Sequence, residues 1–306
     1  GGAAGDVSGV LVEYLNMLLS LDGNAVYFGA RQLRAHAKEI ERVVHAVGEI
    51  DAALSVASYR AGTPGWTRPV MQARGAAAVF AGVKHPLLPG AVANSITMAP
   101  PHGLIVTGSN MSGKTTFLRT LGVTAVMAQT INTCVADGYA APVFAVRTCI
   151  GRSDDPASGK SYYLAEVEAV LDLVRAAESA TPHLMLFDEL FRGTNTVERI
   201  AAGEAVLVAL IADTRDGNTT PHVVLAATHD QELVDLLRDG YAPYHFTDTV
   251  GDEGLSFDYR LRAGPAVTRN AIALLRLRGA PARLIAHAVA RANALTGAMG
   301  ATGISG

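Results

Sequence analysis

The chain has 306 residues, 49% of them hydrophobic, a formal net charge of −3 and a mean hydropathy of +0.24. That is enough apolar content for one large domain plus a smaller piece. No run approaches the roughly 20 apolar residues of a membrane span, since Gln129 and Asn132 interrupt the best windows, and no secretory signal opens the chain.

Cys134 and Cys149 form no metal-spaced set and fit a reduced, cytoplasmic compartment as buried thiols. The chain opens on Gly1-Gly2 without a methionine and is read as a piece of a longer protein. Charge is distributed unevenly: residues 1–160 carry 13 basic and 10 acidic side chains, residues 161–258 carry 5 and 18, and residues 259–306 carry 7 arginines and no acid. An acidic middle suits Mg²⁺ chemistry, although most such charges are solvated faces. The C-terminal arginines (Arg260, Arg262, Arg269, Arg276, Arg278, Arg283 and Arg291) admit two readings, a nucleic-acid contact or packing against the acidic middle. Packing is preferred, because no run is dense enough to track a polyphosphate.

Val7, Val10, Leu11, Tyr14, Leu15 and Leu18 predict an amphipathic helix over 7–21, broken by Asp22-Gly23-Asn24. A longer helix is expected from about Gly29 to Tyr59, with an apolar stripe of Leu33, Ala37, Ile40, Val44, Val47, Ile50 and Leu54. It carries no catalytic constellation, and Gly62-Thr63-Pro64-Gly65 ends it. Residues 66–103 read as a linker and irregular strands, with Val79–Ala81 and Ser95–Met98 as strand candidates.

The stretch from Gly108 to Thr115 follows the apolar run Leu104-Ile105-Val106 and leads into helical spacing from Phe117 to Ala128. Strand, glycine-bounded loop and helix are the context of a phosphate-binding P-loop. Gly108 and Gly113 let backbone N–H groups between them turn inward on an anion, and the helix behind adds the positive end of its dipole. Lys114 reaches terminal phosphates, and the Thr115 hydroxyl suits Mg²⁺.

Residues 151–160 form a polar loop feeding a helix from Ser161 to Val174, with Leu164, Val167, Leu171 and Val174 on one stripe and Glu166 off it. A helix N-terminus there is a second candidate anion site. Leu184-Met185-Leu186-Phe187-Asp188-Glu189 reads as a buried strand presenting carboxylates at its end. A P-loop nucleotidase needs such a pair, Asp188 for the Mg²⁺ shell and Glu189 to activate water. Val223–Ala227 reads as a third strand, leading to Thr228-His229-Asp230. His229 then lies at the edge where α/β sheets bind ligands. Strands over 244–250 and 255–261, joined by a turn at 251–254, and helices over 270–277 and 281–295 complete the expectation, with a disordered Gly-rich tail after Leu295.

Taken in order, His85-Pro86-Leu87-Leu88, the loop from Thr107 to Arg119, Ser153 to Ser161, Asp188 to Thr196 and Ala227-Thr228-His229 resemble the ATPase domain of the MutS family of DNA mismatch repair proteins. The resemblance covers about residues 76–295. It implies an α/β P-loop NTPase of the ABC type, with a mainly parallel central sheet flanked by helices. It implies an N-terminal lever segment over 1–75, an ATPase domain over 76–306 and C-terminal dimerisation helices within 270–295. It also implies a homodimer with two composite ATP sites, and DNA and repair-factor partners reached through regions absent from this chain.

By the resemblance, Gly108, Ser109, Asn110, Met111, Ser112, Gly113, Lys114, Thr115 and Thr116 cradle the ATP phosphates, with Asn110 beside the γ-phosphate and its water. Thr115 and Asp188 hold Mg²⁺, Glu189 is the catalytic carboxylate and His229 the switch histidine. Ser161 reaches the partner subunit's ATP, and Arg192 to Thr196 link the two sites. Ser109 and Ser112 depart from the family pattern but remain small. Ala91-Val92-Ala93-Asn94 stands where some members carry an aromatic residue against adenine, and Tyr259 is the candidate substitute. Two functions of different class follow: an ATPase driving a DNA clamp, or a nucleotide-gated dimerisation module with negligible turnover.

Overall fold

The computed structural model describes residues 4–100, 102–109, 111–151, 162–179, 181–212, 222–251, 254–266 and 271–302. Two compact units divide the chain, Gly1–Gly62 and Thr63–Gly306.

The first unit is three helices, α1 (Ala4–Leu19), α2 (Leu21–Ala35) and α3 (Ala37–Gly62). The expected break at Asp22-Gly23-Asn24 falls instead at Ser20, whose φ of 47° is left-handed. The polar residues explain the shift. The Asn16 side chain accepts the Asp22 N–H at 2.9 Å, and the Asn24 amide donates to the Leu19 carbonyl at 2.9 Å. They therefore satisfy the loose helix ends while remaining helical themselves. The long helix is likewise interrupted at His36 and runs on to Gly62. No residue of α2 or α3 is buried, so the Leu33-to-Leu54 stripe faces outward.

In chain order, the second unit runs β1 (Trp66–Thr67), β2 (Val70–Met71), β3 (Ala78–Val83), β4 (Asn94–Met98), β5 (Gly103–Thr107) and α4 (Lys114–Ile131). Next come β6 (Cys134–Val135), β7 (Gly138–Ala141), β8 (Ala145–Cys149), α5 (Tyr162–Ala177), β9 (His183–Asp188) and α6 (Thr196–Ala212). It ends with β10 (Val223–Ala227), α7 (Gln231–Leu236), β11 (Tyr241–Gly251), β12 (Gly254–Ala263), α8 (Ala271–Leu277) and α9 (Ala282–Thr302). The central sheet has the order β12-β11-β5-β10-β9-β8. Its ladders from β11 to β8 are all parallel, and β12 closes one edge antiparallel to β11. A four-stranded sheet (β2-β7-β3-β4) and the β1-β6 pair accompany it.

Parallel strands buried on both faces read as near-continuous apolar runs, and β5, β9 and β10 do. Their side chains alternate between two cores. Leu104, Val106, Leu184, Leu186, Val223 and Leu225 pack with Phe117, Leu118 and Leu121 of α4 and with Phe80 of the second sheet. Ile105, Met185, Phe187, Val224 and Ala226 pack with Val170 and Leu173 of α5, Leu207 and Leu210 of α6, and Leu233 of α7. Because the strands run the same way, the ends of β5, β9 and β10 open on one rim of the sheet.

Three further differences have local causes. The buried face of α5 is Ala169, Val170, Leu173 and Ala177, with Glu166 buried beside it, while Leu164 and Leu171 are exposed. The helix is thus turned relative to its most apolar stripe, because a polar contact of Glu166 is met inside the fold. Helix α9 continues to Thr302, where a disordered tail was expected; its last turns interleave the helix formers Ala294, Leu295, Ala298, Met299 and Ala301 with Gly297 and Gly300. Strands β6–β8 and helix α6 are not expected from patterning alone. The β8 sequence Ala145-Val146-Arg147-Thr148-Cys149 shows neither a continuous apolar run nor clean alternation, as suits an edge. Among the described residues no helix is long and apolar enough to cross a membrane.

Candidate functional site

Among its described residues, the loop between β5 and α4 has three that are left-handed: Gly108 (φ 145°), Met111 (φ 72°) and Gly113 (φ 110°). Position 108 admits only glycine, for a Cβ there would stand 2.8 Å from Ser112 Oγ and 3.0 Å from the Phe246 carbonyl oxygen. Lys114 is buried, and its Nζ donates to the carbonyls of Gly108 at 2.7 Å and Ser109 at 3.0 Å. Burial pushes its ammonium below the ordinary value, against the opposing pull of Glu189 and Asp188.

Strand β9 pairs with β10 beside β5 and so brings Asp188 to the loop. Thr115 Oγ1 donates to Asp188 Oδ2 at 2.7 Å. Glu189 follows with a left-handed φ of 52°, and its N–H is held by the Ala227 carbonyl at 2.9 Å. A non-glycine residue keeps such a conformation only where its surroundings impose it, and such residues cluster at functional sites. Its carboxylate stands 3.3 Å from Arg192 Nε and 3.4 Å from His229 Nδ1. His229 Nε2 in turn stands 3.7 Å from Asp230 Oδ1. Arg199 at the start of α6 grips Asp230 with two hydrogen bonds of 2.8 Å each. That hydrogen-bonded carboxylate raises the guanidinium further above its usual value.

A cavity of about 620 Å³ opens over these groups. Lys114, Asp188, Glu189 and Arg192, with the hydroxyl of Thr115 among them, form its polar wall, and Val92, Asn94 and Tyr259 stand among its other walls. Ser109 Oγ, Ser112 Oγ and Asp188 Oδ1 are buried without a hydrogen-bond partner. Buried polar atoms are normally satisfied. Unsatisfied oxygens beside a lysine that rests on loop carbonyls fit a site built to be completed by an anion and a cation. Among the described residues no cluster of three or more His, Cys, Asp or Glu exists to cage a metal. Magnesium held by one carboxylate, one hydroxyl and substrate phosphates needs none.

The fold thus brings together Gly108 to Ser109, Met111 to Thr116, Asp188 and Glu189, with His229 reaching them through Glu189. Asn110 and Ser161 lie outside the described residues. Tyr259 stands on the cavity wall, its Cδ1 3.3 Å from where a Cβ on Gly113 would be. Sequence reasoning missed Glu166, whose Oε1 accepts the Phe191 N–H at 2.7 Å and braces the loop after β9. It also missed the Arg199–Asp230 pair. Nothing local marks either, since the partners are 25 and 31 positions apart. Of the C-terminal arginines, Arg262 pairs with Asp258 on the same strand at 2.6 Å, an exposed local contact that decides neither reading.

A family model described as MutS domain V matches residues 104–296. The chain belongs to the MutS family. It corresponds to that family's C-terminal ATPase domain. It is 34% identical over 86% of its length to the DNA mismatch repair protein MutS 2 of Halobacterium salinarum, covering 30% of that protein. It is 32% identical over 94% of its length to the DNA mismatch repair protein MutS of Thermus thermophilus, covering 34% of it. A third relative, the DNA mismatch repair protein MutS of Streptococcus equi, is 35% identical over 64% of this chain and 23% of its own. The chain therefore spans about a third or less of these relatives.

Proposed function

We propose that this chain is the motor of a MutS-like DNA repair protein, binding Mg-ATP in the cavity over the P-loop and hydrolysing it. The observation that carries the reading is the Thr115–Asp188 contact of 2.7 Å, beside the unsatisfied Asp188 Oδ1 and the buried Lys114. Thr115 and Asp188 would hold Mg²⁺, which supplies charge neutralisation on the phosphates when bound. Lys114 exchanges its two carbonyl partners for phosphate oxygens, and backbone N–H groups of the loop complete the cradle. Glu189 takes the proton of the attacking water, and His229 holds that carboxylate from the far side. Asn110 is assigned to the γ-phosphate and its water. Tyr259 offers its ring to the base.

At the level of the assembly, two copies complete each other's sites, with Ser161 reaching the partner's nucleotide and Arg192 to Thr196 linking the two. Residues 1–75 act as the end of a lever, residues 76–306 as the ATPase domain, and the helices within 270–295 as the dimer contact. DNA and repair partners are engaged through regions outside this chain, in the cytoplasm. Engagement of Glu189 by Arg192 and His229 favours a second reading, a nucleotide-gated dimerisation module with little turnover.

Glu189→Gln separates the two. The variant keeps ATP binding and loses hydrolysis by about 10²- to 10⁴-fold, the range of a lost general base. Steady-state phosphate release beside an equilibrium binding titration reads both quantities. Unchanged hydrolysis would remove Glu189 from its role, and negligible hydrolysis by the native chain would favour the gating module.

A further inference from the structure

The antiparallel edge of the central sheet is irregular where it meets the cavity. Phe246 faces Leu261 and Asp248 faces Phe257, so the one residue between them on β11 is opposed by three on β12. The excess is a bulge over 258–260. At its centre Tyr259 has a φ of 54°, left-handed for an aromatic residue. Bulges re-aim side chains, and this one stands Tyr259 on the wall of the cavity, against Gly113.

Such a backbone persists only where neighbours over-determine it. Asn94, the first residue of β4, supplies that restraint from another sheet. Its Nδ2 donates to the Tyr259 carbonyl at 2.9 Å, and its Oδ1 accepts the Leu261 N–H at 2.8 Å. One planar amide thus ties the centre of the bulge to the residue where strand pairing resumes, as a neighbouring strand would. Within the bulge, Asp258 Oδ1 accepts the Arg260 N–H at 3.0 Å. These contacts cross 165 and 167 positions of sequence.

We infer that Asn94 is a positioning residue that fixes the Tyr259 ring over the base of a nucleoside triphosphate, so that the site reads the base as well as the phosphates. The inference rests on the nucleotide reading of the cavity. Asn94 acts through Tyr259 and not through the phosphate loop. Loss of Asn94 frees the bulge and turns the ring away, while Lys114, Thr115 and Asp188 keep their places.

Calorimetric titration of the native chain and of Asn94→Ala with Mg-ATP and with Mg-tripolyphosphate tests this. Tripolyphosphate carries the phosphate chemistry and no base. Expected is a loss of about tenfold or more in ATP affinity, the scale of one base–aromatic contact, with tripolyphosphate affinity retained. Tyr259→Ala should lose as much, and the double variant no more than either single, since the two act as one unit. Asn94→Asp keeps the acceptor but turns a carboxylate on the Tyr259 carbonyl, so it should not restore ATP affinity. Undiminished ATP affinity in Asn94→Ala, equal loss on both ligands, additive losses in the double variant, or full affinity in Asn94→Asp would each overturn the assignment. Native protein that binds neither ligand would instead overturn the nucleotide reading beneath it.

Discussion

Gly108 is where one added carbon does the most. A Cβ there meets the Phe246 backbone oxygen at 3.0 Å, which cannot rotate away, at a φ of 145° that side chains rarely adopt. Gly108→Ala should therefore deform the loop while leaving the two cores intact. Thermal melts with and without Mg-ATP are expected to show a destabilisation of about 1–3 kcal/mol, with the ATP-induced rise in Tm abolished. A variant that still gains the native rise would mean the loop tolerates the carbon and the close approach is not required. The same scale explains why Glu189 stands apart from an ordinary carboxylate. Its backbone is held left-handed by the Ala227 carbonyl, and both carboxylate oxygens have cationic or imidazole neighbours.

At the scale of elements, Arg199 and Asp230 join helix α6 to the turn after β10. The pair is nearly buried, with side chains 15% and 9% exposed, and is bidentate at 2.8 Å. Its net worth over an apolar replacement is small, because both charges lose water on burial. Removing one partner is different. Arg199→Met leaves Asp230 unpaired beside His229 and should cost about 3 kcal/mol in urea unfolding. Replacing both, as Arg199→Met with Asp230→Leu, should cost less than the single change. If the single change costs under about 1 kcal/mol, the pair behaves as a surface contact does. Since α6 directly follows the loop from Arg192 to Thr196, this pair also ties the position of His229 to that loop.

At the scale of the whole molecule, the composite-site reading turns on association. The Leu33-to-Leu54 stripe of the first unit is exposed, and the composite-site reading requires a second copy. Molar mass by light scattering, taken with and without Mg-ATP on the Glu189→Gln variant, is expected to move from monomer to dimer. A lasting monomer with ATP bound would mean that this chain is a half-site, and that regions of the relatives beyond the matched third hold the dimer together.

Local order was legible because local spacing dictates it. Apolar runs at Leu104–Val106, Leu184–Phe187 and Val223–Ala227 read as strands since both their faces are buried. The glycine positions and the adjacent Lys114-Thr115 pointed to the proposed phosphate chemistry, since a P-loop is built from consecutive residues. The tertiary structure alone decided what depends on partners distant in sequence. It placed β10 between β5 and β9, the strand order that carries Asp188 to Thr115 across 73 positions, a pairing the sequence reached only through motif and resemblance. It turned Glu166 inward to the Phe191 N–H, and it set Asn94 under the Tyr259 bulge. Periodicity reports which face an element buries. It carries no record of which distant hydrogen-bonding group will be waiting there, because that is fixed only when the sheets and helices pack.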